Sequence, residues 1–154
     1  MLSRRSPIKL RRELLALLIF AVPARAFASA DTVRTEFIGL TMQAFQTVAR
    51  EAALRNDAAT LIAYVKSLGR SSLVDYALVV SSGGVVVAHT DRRRIGLADT
   101  DPMTANALTN RDLNGLRLED FKNQKGETVF DASLPVASTS TFLGAIRVGF
   151  KGMK

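Results

Sequence analysis

The sequence predicts an α+β domain in which a long N-terminal helix and a second helix pack on a five-stranded antiparallel sheet. Two observations carry this reading. Apolar residues recur with a helical period between residues 31 and 68, and from residue 73 onward they come in short runs separated by Ser-, Gly- and Asn-rich turns. Runs joined by such turns are hairpins, and consecutive hairpins build an antiparallel sheet with helices against one face. The 154 residues suffice for one domain with its own core and are too few for two large ones.

At the N-terminus, Arg4, Arg5, Lys9, Arg11 and Arg12 precede an apolar run from Leu14 to Val22, after which Pro23 leads into the small-residue series 24–30. A basic segment, a short apolar core and an Ala-x-Ala ending are the parts of a secretory signal peptide. Cleavage is expected before Asp31, with Ala26 and Ala28 framing a second option. A spanning helix needs roughly 20 apolar residues, so the weaker alternative is an uncleaved anchor in the inner membrane. Residues 1–30 therefore read as an export address and 31–154 as the domain, periplasmic or secreted.

From 31 to about 55, Ile38, Met42, Phe45, Ala49 and Ala52 form one apolar stripe of a long helix, with Arg50, Glu51 and Arg55 off it. Asn56 and Asp57 stop that helix and cap the next, whose apolar side is Ala58, Leu61, Ile62, Val65 and Leu68, closed by Gly69. The long helix can also pair with its copy in a homodimer, although the stripe is too short to establish a coiled coil. Leu73–Val80 and Val85–Thr90, around the turn at Ser81–Gly84, predict a hairpin. A polar stretch from Asp91 to Asp101 precedes a short helix from Pro102 to about Asn110. Three more strands are expected at Leu116–Phe121, Glu127–Val136 and Thr141–Phe150.

Composition excludes much chemistry. There are no cysteines and one histidine, which removes disulfides, Cys-zinc and iron–sulfur sites, thiol nucleophiles and His-pair metal motifs. The formal charge of +7 suggests an anionic partner, but residues 1–30 hold six basic residues and one acidic one, leaving 15 and 13, a net of +2. With no Trp and two Tyr, nucleic acid is not an expected partner. Ser81 or Ser82 with His89 and Asp91 has the residue types of a hydrolytic triad but no nucleophile elbow. Gly83 and Gly84 lie in no phosphate-loop pattern, and Asp99 with Asp101 makes no EF-hand. The reading is non-enzymatic, with no cofactor and no metal.

Residues 84–91, running Gly-Val-Val-Val-Ala-His-Thr-Asp, then Ile95-Gly96, resemble the "G-x-V-x-A-H-x-D … I-G" strand and loop of extracytoplasmic Cache sensor domains, which are PAS-like. Residues 128–136, ending in Pro135-Val136, and 142–149, with Leu143-Gly144 and a final Gly149, resemble the family's last hairpin. The resemblance spans roughly residues 33–150. Gly83 stands where the family often has Asp, and Arg92 where Pro often follows the Asp. The resemblance implies a single-Cache sensor fold with a small-molecule pocket; the sensing half is matched, and no output domain is.

Strict alternation assigns faces to the strands. Val85, Val87 and His89 share one face, opposite Val86, Ala88 and Thr90; Val129, Asp131 and Ser133 share another; Leu143, Ala145 and Arg147 line up on the last strand. Each strand thus offers a polar group among apolar neighbours, the make-up of a small-molecule pocket. Tyr76, His89, Asp131 and Arg147, with Arg93 or Arg94 from the loop, are the candidate ligand-binding residues. An arginine fork suits a carboxylate, so the expected ligand is small and polar or anionic, of carboxylate or amino-acid class. The simpler readings are that His89 ties the Asp91 loop to its strand, that the three arginines form a solvated loop, and that Asp131 and Arg147 form a surface pair. The expected function is an exported sensory domain that signals by a ligand-induced conformational change to a membrane-bound partner. The alternative is a ligand-free extracytoplasmic dimerisation or interaction module.

Overall fold

The computed structural model describes residues 29–152. The export segment expected over 1–30 therefore lies almost wholly outside the described residues; among those described, no helix is long and apolar enough to cross a membrane.

Helix α1 spans Ala30–Leu54, capped where the Ser29 hydroxyl accepts from the Thr32 amide. Its buried residues are Ile38, Met42, Phe45, Ala49 and Ala52, the stripe that the helical period marks out. Asn56, with φ 53°, turns the chain into α2 (Ala58–Leu68), whose first turn is held by the Asp57 carboxylate accepting from the Thr60 amide. Leu61 and Val65 of α2 are buried, Ile62 and Leu68 half-buried, and Ala58, expected on the apolar side, is exposed. Strands β1 (Val74–Ser81) and β2 (Val86–His89) form the first hairpin, in whose turn Gly84 takes φ 79°, a conformation that glycine adopts without strain. A single 3₁₀ turn at Arg92–Arg94 interrupts the polar loop. Helix α3 (Pro102–Thr109) comes next, then β3 (Arg117–Lys122), β4 (Thr128–Ala137) and β5 (Phe142–Lys151).

The sheet is antiparallel with order β2-β1-β5-β4-β3, so the last strand sits at its centre. Helices α1 and α2 cover one face, where Phe45, Met42 and Ile38 meet Ala77, Val79, Leu134, Ile146, Val148 and Phe150. On the other face a smaller apolar cluster, Leu78, Val80, Val86, Ala107 and Ala145, packs under α3. Strict alternation fails in β2. The register shifts between Val79 and Val80, so Val86 pairs with Val80 on the face of His89, while Val87 packs toward the helices. A bulge adds a residue to one strand and reverses the facing of the residues beyond it.

Candidate functional site

The face under α3 carries a buried polar network built on β-register. Leu78, Arg147 and Ser133 are cross-strand partners on β1, β5 and β4; two residues along, so are Tyr76, Gly149 and Asp131. Gly149 has no side chain to hold Tyr76 away: a Cβ there would run into the tyrosine ring. The ring therefore lies across β5, and the Tyr76 hydroxyl donates to the Asp131 carboxylate. The neighbouring guanidinium of Arg147, 1% exposed, donates from Nη2 to Asp131 at 2.7 Å and from Nε at 3.2 Å.

The loop and α3 close over this core. Asp101 caps α3, accepting from the Met103 amide, and its other carboxylate oxygen accepts from Nη1 and Nη2 of Arg147, each at 3.2 Å. Thr104, on the first turn of α3, accepts from Arg147 Nη1 and donates to Asp99 at 2.8 Å. Asp99, its side chain 2% exposed, is paired at 2.8 Å with Arg94. One continuous chain of charge-assisted bonds thus runs from Asp131 at mid-sheet through Arg147, Thr104 and Asp99 to Arg94 at the surface.

The network holds three carboxylates, Asp99, Asp101 and Asp131, and two guanidiniums. Burial alone would push the Arg147 guanidinium down, but its bonds to Asp131 more than reverse this and hold it above the ordinary arginine value. Burial, helped by the negative charge of Asp131, pushes the Tyr76 phenol up, so it stays a hydrogen-bond donor. Arg147 and Asp131 are therefore a buried pair, and the surface-pair reading is corrected: the register of β4 and β5 points both under α3.

His89, 6% exposed, joins the rim. Its Nδ1 accepts from the Asp91 amide at 2.7 Å. A backbone N–H can only donate, so Nδ1 carries no hydrogen and the neutral ring is protonated at Nε2. That Nε2 faces Arg94 Nη1 at 3.4 Å. With Nδ1 accepting, both atoms are donors, and among the described residues no other group accepts from either. Burial first, and then the Arg94 charge, lower the His89 pKa, which keeps the ring neutral.

Of the six residues singled out from sequence, the structure brings Tyr76, Asp131 and Arg147 into direct contact and joins His89 and Arg94 to them through Asp99 and Thr104. Arg93 stands apart: its side chain is 90% exposed and bonded to Asp91 at 2.8 Å. That bond holds the Asp91 carboxyl down to about 2. Asp99, Asp101, Thr104 and Gly149 are not among the six. Asp101 before Pro102 is a helix-start signal that places its carboxylate at the α3 N-terminus; nothing in the pattern shows that Arg147 would reach it. Among the described residues, no group of three or more His, Asp or Glu is arranged to hold a metal.

The sequence pattern of the family described as "Single cache domain 3" matches residues 39–154. The chain belongs to that family. No curated protein matches the chain. Among solved structures, the sensor domain of E. coli DcuS shares 14% identity at a TM-score of 0.54, over 74% of this chain and 88% of its own. The sensor domain of the V. cholerae histidine kinase DctB shares 16% identity at 0.49, over 64% of this chain; this chain spans 41% of it. The ligand-binding domain of the P. aeruginosa amino-acid chemoreceptor PctC, solved with GABA, shares 16% identity at 0.46, over 75% of this chain and 57% of its own. The likeness to DcuS is one of fold: a Cache domain with a long leading helix and a five-stranded sheet.

Proposed function

We propose that this Cache domain is an exported sensor that binds a small carboxylate of amino-acid class at the rim of the Arg147 network. The observation that carries this reading is the pair of converging donors, His89 Nε2–H and Arg94 Nη1–H, 3.4 Å apart. A carboxylate oxygen placed against both supplies the acceptor that each lacks, and Arg94, its side chain 45% exposed, is reachable from solvent. Asp101, 38% exposed by side chain, offers the complementary negative end for an ammonium group. In this reading Arg147 is a positioning residue, because its N–H groups are already taken by Asp131, Asp101, Thr104 and Tyr76. Tyr76 and Asp131 hold it, and Arg93 takes no part.

Binding would act by population shift. A ligand that draws Arg94 away from Asp99 changes how the loop and α3 are tied to β5, and it biases the domain only to the extent that it favours one arrangement. On the reverse face of β4 and β5 lies α1, the helix that follows the export segment and the route toward a membrane-bound partner.

Calorimetric titration with amino acids, dicarboxylates and amines tests the proposal. At least one amino acid or carboxylate should bind, with affinity abolished in Arg94→Ala and unchanged in Arg93→Ala. Equal affinity in Arg94→Ala, or no binding across the panel, would overturn it. A second reading, the ligand-free dimerisation module, is favoured by the exposed apolar residues Val33, Phe37 and Leu40 on α1, of which Leu40 is 70% exposed. A tight dimer with no ligand response would select it.

A further inference from the structure

The bridge between Arg94 and Asp99 joins a movable partner to a fixed one. Residues 96–99 run along the outer edge of β2. The Gly96 amide donates to the Val86 carbonyl at 2.8 Å, and the Val86 amide to Leu97 and the Asp99 amide to Gly84 at 2.9 Å. The Asp99 carboxylate is pinned as well: one oxygen accepts from the Thr104 hydroxyl at 2.8 Å, the other from the Asp101 amide at 3.3 Å. That side chain is 2% exposed, and Arg147 Nη1 stands 3.9 Å away, beyond hydrogen-bond reach. Among the described residues, Arg94 at 2.8 Å is therefore the cation bonded directly to Asp99. Arg94 itself is 45% exposed by side chain, so its guanidinium is free to swing where Asp99 is not.

We infer that Asp99 is the specificity-determining residue of the site, selecting α-amino acids over carboxylates that carry no ammonium. The inference rests on the carboxylate site proposed above. A carboxylate that draws Arg94 away leaves Asp99 behind as a buried charge held by neutral donors, which is costly. A plain carboxylate bears that cost in full, and a dicarboxylate adds a further negative charge beside Asp99 and Asp101. An ammonium group on the ligand takes the place that the guanidinium vacates. Because Arg94 and Asp99 meet in a single short bridge, the ligand's two charges must lie side by side, as they do when both are carried by one carbon. Asp101 keeps Arg147 as its partner. A site that leaves a buried polar group unpaired rejects the analogue lacking the matching group.

The full chain would be titrated calorimetrically with the protein amino acids and with their des-amino counterparts: alanine against propionate, valine against isovalerate, glutamate against glutarate. An amino acid that binds should do so at least about tenfold more tightly than its counterpart, and γ-aminobutyrate should bind no better than butyrate. In Asp99→Asn that ratio should collapse, the amino acid binding more weakly and the plain carboxylate more tightly. A purely structural Asp99 would weaken both members of a pair alike. Equal affinities within the pairs in the wild type, a ratio retained in Asp99→Asn, or γ-aminobutyrate binding as tightly as the α-amino acids would overturn the inference and leave the site standing. No binding across the panel, or affinities unchanged in Arg94→Ala, would remove the site and the inference together. The wild-type ratios decide even if Asp99→Asn fails to fold.

Discussion

The two faces of the sheet solve the same packing problem by opposite means. Toward α1 and α2 the strands present Ala77, Val79, Leu134, Ile146, Val148 and Phe150, and the helices cover them with Ile38, Met42, Phe45 and Val65. That face is held by non-directional apolar burial. Toward α3 the same strands present Tyr76, Asp131 and Arg147, and the cover supplies Asp99, Asp101 and Thr104. Stability there depends on every charge keeping its partner, so the polar face can be rearranged by a competing charge and the apolar face cannot. The proposed function uses one face of each kind: a fixed platform, and a cover whose bonds a ligand would exchange.

The contrast is most severely tested at Arg147. Replacing it with Met should cost about 3–5 kcal/mol in urea unfolding, because Asp131 would be left buried without its cation and Asp101 would lose its partner, while Asp99 keeps Arg94. Met42→Ala on the apolar face should cost about 2–5 kcal/mol through cavity formation, with the loss independent of salt and pH. If Arg147→Met is as mild as a surface substitution, the polar face is not held by its charges. Gly149→Ala should cost about 1–3 kcal/mol, since the new methyl must displace the Tyr76 ring and so weaken its bond to Asp131; a crystal structure or the tyrosine fluorescence of the variant would show the displacement.

A smaller effect is expected at His89. Its folded pKa is lowered from the usual 6.5, so the unfolded chain takes up the proton first. The contribution of the neutral ring is fully present above pH about 6.5 and declines as the pH falls through that value. His89→Gln should flatten this part of the pH–stability curve, as thermal unfolding between pH 5 and 8 would show. The smallest effect concerns the start of α1, where the Ser29 hydroxyl caps the helix. If the N-terminal segment is a cleaved export signal, as the sequence suggests, processing after Ala28 retains that cap and processing after Ala30 removes it at about 1 kcal/mol; mass spectrometry of the mature chain checks both the cleavage and its position.

The apolar face was legible because a helical stripe is a local property: Ile38, Met42, Phe45, Ala49 and Ala52 announce their burial by spacing alone. The polar face was legible only in part. Alternation along single strands placed Asp131 with Ser133 and singled out Arg147, but pairing Asp131 with Arg147 across β4 and β5 requires the register, which no one strand contains. Val86 misled because a bulge in the β1–β2 pairing is invisible to a two-residue period. Asp99 and Asp101 read as loop acids until the chain folds them over a guanidinium 46 residues after Asp101. Gly149 carries no chemistry of its own; its role exists only beneath the Tyr76 ring.

His89 is the single histidine of the chain, so its imidazole nitrogens can be observed without assignment by mutation. Nitrogen-15 NMR of the histidine ring, with and without a bound amino acid, tests the central claim most directly. The account predicts an unprotonated Nδ1, a hydrogen on Nε2, and a downfield shift of that hydrogen when the ligand's carboxylate accepts from it, with the shift lost in Arg94→Ala. A ring protonated at Nδ1, or an Nε2 signal indifferent to a ligand that binds, would contradict it.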